Sequence, residues 1–454
     1  MPERTHRSSA ARCSPVSGNA GVRFMRGTVA NPSGKYKKIR DQCTSYPATQ
    51  LPTCGTLLDV TVTSFHVARA HARMKNPFVY GEVVPGESFV DREVELDRLI
   101  GDLSAGQKVF LISPRRYGKS SLIRQALNAL SRRGVLTVEV TVSSYSSYLS
   151  FLEGYARALA AVETRWERAR GWLTSVIGST RPEVRYDADA TGPGRFSVSF
   201  PLVKNERDMN RLANEVFTLP GRLASEQKRP VVVALDEFQA IDGFNGGSVE
   251  HALRAATQQQ RQVGYVFAGS EPSLMEKMIG PRRPFYKAGP VMRLQKIPAD
   301  VFAGFIEARF GKSGIRAEAG LGAAIVDLAG NLPYDVQRLA HETWDDARSM
   351  GARRATLDAL HTTLARLLAE QEPIFEAVWQ RLTLAQRAVF RAVVLQSGQG
   401  LLSSDVRARY RLGGPSSIQT SLAALVKQDL VLKEGSQYVV VDSLLREWIA
   451  RRTF

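Results

Sequence analysis

Ser113-Pro114-Arg115-Arg116-Tyr117-Gly118-Lys119-Ser120-Ser121 is the stretch on which the fold of this 454-residue chain turns. The apolar run Val109 to Ile112 precedes it, and a helical pattern of Leu122, Ile123, Ala126, Leu127 and Leu130 follows. Strand, tight turn and helix, with Gly-Lys-Ser at the junction, is the layout of a phosphate-binding loop. Backbone N–H groups of the turn and of the helix N-terminus face an anion; Lys119 would reach the β- and γ-phosphates, and the Ser120 hydroxyl would ligate Mg²⁺. The usual G-x-x-x-x-G-K-[ST] pattern starts here with Ser113, so the first turn must carry a Cβ, which requires a negative φ. A basic surface turn before an ordinary helix is the competing reading.

A second motif decides between them. Val231-Val232-Val233-Ala234-Leu235-Asp236-Glu237 reads as a buried strand ending in two acids. Asp236, at the carboxyl edge of a sheet, would hold Mg²⁺ directly or through water. Glu237 is the candidate general base for water attacking a γ-phosphate. An exposed acid pair at a strand end is the alternative. The two motifs in this order imply a nucleotide hydrolase using ATP and Mg²⁺. Tyr265-Val266-Phe267-Ala268-Gly269-Ser270 is another apolar strand, and Ser270 would sense the γ-phosphate or the attacking water, unless it merely opens a Gly-Ser turn.

The pattern around these motifs alternates strands with helices. Strands are expected at 108–112, 135–142, 231–236, 265–268 and 291–297, and helices over 148–170, 205–226 and 249–262. A β-hairpin is expected at 182–201, turning at Gly192-Pro193-Gly194. Mostly apolar strands between helices imply a parallel sheet covered on both faces, an α/β fold. Residues 299–381 read as helical only, and from Leu382 the pattern changes to three helices, a two-strand wing and a closing helix. The expected division is an extension over 1–73, an ATPase core over 74–298, a helical lid over 299–381 and a winged helix over 382–454.

Four segments resemble the prokaryotic STAND/AAA-like P-loop ATPases of the archaeal ATPase-domain type: Phe89-Val90-Asp91-Arg92-Glu93, Pro114 to Ser120, Leu235-Asp236-Glu237-Phe238-Gln239 and Ala268-Gly269-Ser270. The resemblance runs from about Met74 to the C-terminus. It implies an additional strand between the phosphate loop and the acidic strand, a five-stranded core, a helical lid and a winged helix. The family's lead-in packs against adenine, which implies that role for Val90 and Arg92, with Asp91 where the family has Gly. Gly330-Asn331-Leu332-Pro333-Tyr334 resembles the lid's G-x-P turn and implies Pro333 near the base. The winged helix has no histidine, so the family's nucleotide-contacting His has no counterpart. Arg115 and Arg116 would meet phosphate or a neighbouring subunit of a homo-oligomer. Arg282 and Arg283 would either act in trans or form a flexible basic loop.

Charge bears on the partner. The chain carries +17, but 11 Lys+Arg and 3 Asp+Glu fall in residues 1–73, where Ser, Pro, Thr and Gly abound and no periodicity persists. That composition suits disorder, or an upstream segment preceding a true start at Met74. The basic total is therefore no argument for nucleic acid. The would-be recognition helix, 415–429, has only Lys427 and Asp429; its front offers Ser416, Ser417, Gln419 and Thr420, with Arg407, Arg409 and Arg411 on the helix before. Phosphate neutralisation supplies much of DNA affinity, so DNA and a protein partner both stand as readings. Cys13, Cys43 and Cys54 all precede Met74, which leaves the body without a Cys-ligated zinc and fits the cytoplasm. No apolar run approaches the ~20 residues that span a bilayer.

Overall fold

The computed structural model describes residues 75–81, 91–162, 166–178, 180–187, 195–244 and 248–452. The 1–73 extension, Val90 and the hairpin turn at 192–194 lie outside them. The central sheet has five parallel strands: β1 (Lys108–Ile112), β2 (Leu136–Thr141), β5 (Val231–Asp236), β6 (Val263–Gly269) and β7 (Val291–Arg293). Their order across the sheet is β2–β5–β6–β1–β7. Strand β6 lies between the phosphate-loop strand β1 and the acidic strand β5.

The central strands β1, β5 and β6 bury side chains on both faces because their apolar runs are continuous and point alternately up and down. Phe110, Ile112, Val231, Val233, Leu235, Tyr265 and Phe267 enter one core. Its other wall is α3 (Tyr148–Ala160), α4 (Trp166–Val176), α5 (Glu206–Gln227) and α6 (Ser248–Gln259). Val109, Leu111, Val232, Ala234, Val266 and Ala268 face the opposite core, under α1 (Glu93–Ser104) and α2 (Lys119–Arg132). The antiparallel hairpin β3 (Glu183–Asp187) and β4 (Arg195–Ser199) stands beside α3. Helix α7 (Pro272–Met278) follows β6.

Beyond the sheet come α8 (Ala299–Lys312), α9 (Leu321–Leu328), α10 (Pro333–Ser349) and α11 (Leu357–Gln380), then α12 (Leu384–Leu395), α13 (Ser404–Arg409), α14 (Pro415–Lys427), the antiparallel wing β10 (Val431–Glu434) and β11 (Gln437–Val440), and α15 (Ser443–Arg451). One hydrophobic core runs through these elements except α13, which buries no side chain. Trp379 of α11 lies 6.2 Å from Trp448 of α15 and 6.3 Å from Phe390 of α12, ring centre to ring centre.

Three expectations are corrected. The single helix over 148–170 is two, because α3 ends at Ala160 and α4 takes a new line on which Ala169 and Leu173 reach the core. The lid is not helical throughout: β8 (Arg316–Ala317) and β9 (Arg354–Ala355) pair in parallel where the segments after α8 and α10 run side by side and satisfy each other's backbone. Strand β7 stops at Arg293, although the Leu294 N–H still donates to the Ile112 carbonyl at 3.1 Å. No described helix is long and apolar enough to cross a membrane.

Candidate nucleotide site

The carboxyl ends of β1, β5 and β6 open on one cavity of about 270 Å³. Pro114, Arg115, Arg116, Tyr117, Gly118, Lys119, Ser120, Ser121, Glu237 and Ser270 line it, and so do Arg92 and Pro333. Asp236 sits directly behind Lys119 and Ser120.

The loop gets its shape from two left-handed residues. Gly118, the N-cap of α2, has φ +88°, a conformation in which any Cβ would be strained although space is open around it. Arg116 takes φ +70° despite its side chain. Ser113 stays out of that region, is fully buried, and anchors the turn by donating its N–H to the Gly269 carbonyl at 3.2 Å.

Lys119 and Asp236, 5% and 6% exposed, form an ion pair. The Ser120 hydroxyl donates to the other Asp236 oxygen at 2.9 Å. A hydroxyl and a carboxylate so joined, beside an anion-binding loop, is a donor set that fits Mg²⁺. Glu237 follows at φ +53°. One of its oxygens lies 3.3 Å from Lys119 Nζ; the other accepts from Ser270 Oγ and Gln239 Nε2, each at 2.6 Å. Burial lowers the Lys119 ammonium below its usual pKa, against the pull of Glu237 and Glu139. Burial pushes the Glu237 carboxyl up, but Lys119, Ser270 and Gln239 outweigh it and hold the carboxyl below the usual range.

The far end of the cavity is apolar, lined by Val79, Tyr80, Ile297, Phe302, Pro333 and Tyr334. Tyr80 is fixed by a 2.6 Å hydrogen bond to Glu342 and an edge contact with Tyr334 at 6.0 Å. Arg92 is buried and donates to Glu95 at 2.7 Å and to the Gln295 carbonyl. Pro333 is the first residue of α10, where its missing N–H costs nothing. Asn331 sits at φ +55°, which asparagine tolerates, and its amide ties the turn to the Ile297 carbonyl at 2.8 Å.

The middle of the phosphate loop is held by the winged helix. Arg115 pairs with Asp429 at 3.3 Å and approaches Glu271 at 4.0 Å. Arg116 pairs with Asp335 and Asp442, both at 3.3 Å, and donates to the Val441 carbonyl at 3.3 Å. The Tyr117 hydroxyl donates to Glu434 at 2.5 Å, and Lys296 lies 3.9 Å from the same carboxylate. Three successive loop residues thus meet the end of α14, the wing and the cap of α15. Burial, with Asp442 nearby, raises the Asp335 carboxyl to about 6 although Arg116 and Ser443 pull it down.

Sequence reasoning missed Gln239, Val79, Tyr80, Gln337 and the three winged-helix acids. Gln239 stands two residues from Glu237 in the acidic motif; the acids carry no local signal. Arg283 is neither a free finger nor a loose loop residue, for it pairs with Asp242 at 3.1 Å and with buried Glu250. Arg282 is exposed, at φ +67°. Among the described residues no His, Cys, Asp and Glu cluster forms a metal site of three or more ligands.

Residues 373–451 match the family model described as a probable winged helix domain. Among solved structures, the Walker-type ATPase PABY2304 of Pyrococcus abyssi is similar with a TM-score of 0.54 and 16% identity, over 81% of this chain and 99% of that one. This chain has the P-loop ATPase fold with a C-terminal winged helix. The ORC2 protein of Aeropyrum pernix, in ADPNP-ADP complexes, is similar to this P-loop chain at 14% identity with a TM-score of 0.48, over 83% and 97% of the two chains. The ORC1 protein of the same organism, in complex with DNA, gives 13% and 0.43, over 81% and 95%. No curated protein matches the sequence.

Proposed function

We propose that this chain is a Mg²⁺-dependent ATPase in which nucleotide state sets the position of the lid and winged helix. The observation that carries the reading is the joining of Lys119, Ser120, Asp236 and Glu237 in one cavity at the carboxyl edge of the sheet. Gly118, Lys119 and the N-terminus of α2 would bind the β- and γ-phosphates, and the apolar end would take the base. Mg²⁺, held by Ser120 and Asp236, supplies charge neutralisation on the phosphates. Glu237 is kept ionised to accept a proton from water, with Ser270 beside it. Arg92 and Pro333 line the base end, and the lead-in Val90 is assigned there by resemblance.

The contacts from Asp429, Glu434 and Asp442 support a second element, with the winged helix acting as a regulatory lid on the phosphate loop. Its α14 leaves Ser416, Ser417, Gln419 and Thr420 exposed, a face open to duplex DNA or to a protein. Steady-state ATP hydrolysis by the full chain, with Mg²⁺ or with chelator, and with and without duplex DNA, tests both parts. Turnover that needs Mg²⁺ and is abolished by Glu237→Gln supports the ATPase; equal turnover in that variant removes Glu237 from the mechanism. Stimulation by DNA favours coupling on DNA, and indifference to it favours a switch that answers to a protein.

A further inference from the structure

We propose, on the ATPase reading above, that Gln239 is the positioning residue for Glu237: it holds one carboxylate oxygen so that the other faces the phosphates. The two oxygens of Glu237 have different partners. Oε2 accepts from Gln239 Nε2 and Ser270 Oγ, and Oε1 faces Lys119. Glu237 and Ser270 line the cavity; Gln239 does not, and at 6% exposure it forms the floor behind them.

Local backbone makes this arrangement. Glu237, at φ +53°, ends the strand abruptly, and the 3-10 turn Phe238–Gly243 brings Gln239 back under it. The Gln239 Oε1 atom is buried without a hydrogen-bond partner. Turning the amide over would set that oxygen against the carboxylate, so the amide is committed to donating to Glu237. Gly269 leaves the room: a Cβ there would sit 2.7 Å from Gln239 Oε1 and closer still to Met275. Gln239 Nε2 also lies 3.4 Å from Ser270 Oγ, so the three side chains form a closed triangle.

The consequence is directional. The terminal torsion of a glutamate is broad, and a free carboxylate would present either oxygen to the site. With Oε2 held, only Oε1 is left to face the cavity. Phosphates that draw Lys119 towards themselves release Oε1, which then accepts the water proton. Loss of the Gln239 donor frees the carboxylate to turn.

Gln239→Met keeps the length and lacks the donor. In the full chain it is expected to lower kcat for ATP about 10-fold or more and to leave KM within twofold. A kcat within twofold of wild type overturns the proposal. So does a KM that rises in step with the fall in kcat, which marks a general disturbance of the site and not the loss of a group that positions Glu237. Should Gln239→Met fold poorly, Gln239→Asn withdraws the amide by one methylene and is expected to give the same split, a lowered kcat with KM within twofold; a kcat within twofold of wild type there overturns the role as well. Absence of turnover in the wild type removes the ATPase reading itself, whereas wild-type turnover that Gln239→Met leaves intact removes only Gln239.

Discussion

The triple change Asp429→Asn, Glu434→Gln and Asp442→Asn is expected to loosen the winged helix from the phosphate loop without unfolding either. Each replacement keeps shape and removes charge. The Asp442→Asn change retains a side-chain oxygen to accept from the Leu445 N–H, so the cap of α15 survives. The Arg115–Asp429 pair is half exposed on both sides and contributes about 0.3–0.5 kcal/mol. Arg116–Asp442, with both side chains 31% exposed, adds about 0.5 kcal/mol. Tyr117–Glu434 joins a buried hydroxyl to a carboxylate; making the acceptor neutral roughly halves a bond of about 2 kcal/mol, a loss of about 1. The total, about 2 kcal/mol, is about 30-fold in the docking equilibrium. If docking restrains the loop, apparent affinity for nucleotide rises by up to that factor, because the competent fraction grows. Stopped-flow binding of a fluorescent ATP analogue reads it, and added salt is expected to mimic part of the effect in the wild type. Rate and affinity within twofold of wild type, alongside a lowered melting temperature, would show that the contacts only add stability.

Lys119→Ala should abolish ATP binding in calorimetric titration, and undiminished affinity would remove the loop from the site. Asp335 has a folded pKa raised to about 6, so its contribution to stability is complete below about pH 4 and lost as pH rises through 6. Melting temperatures of wild type relative to Asp335→Asn should therefore fall between pH 4 and 6, and parallel curves would contradict the assignment. Trp448→Ala, in the core joining α11, α12 and α15, should cost about 3–5 kcal/mol in denaturant unfolding, and a loss under 1 would mean that the joint is loosely packed.

The phosphate-loop half of the candidate site was legible because its pattern is written locally: strand, Gly-Lys-Ser and helix in one place, strand and Asp-Glu in another. Both faces of the sheet followed from unbroken apolar runs. The break between α3 and α4 was not legible, since Ala160-Ala161-Val162 holds no glycine or proline and the helical period simply continues. The β8–β9 pair is too short to leave a pattern. Asp429, Glu434 and Asp442 look like any surface acids until the fold brings them against residues more than 300 positions earlier. Gln239 is visible in the acidic motif, yet an amide declares its role only through the partner it donates to.

Phe78 packs 5.0 Å from Phe310, ring to ring, inside the core of the lid and winged helix and not in that of the sheet. The segment leading to Val79 and Tyr80 is thus tied to the distal body although it precedes β1 in the chain. Calorimetry of the free protein should accordingly show two melting units over these residues, one around the sheet and one running from Phe78 through the lid to α15. A nucleotide lying along the cavity would touch both, its phosphates on the first and its base on the second. Saturation would then merge the two transitions into one, and the heat-capacity trace alone would report that the ligand had bridged them.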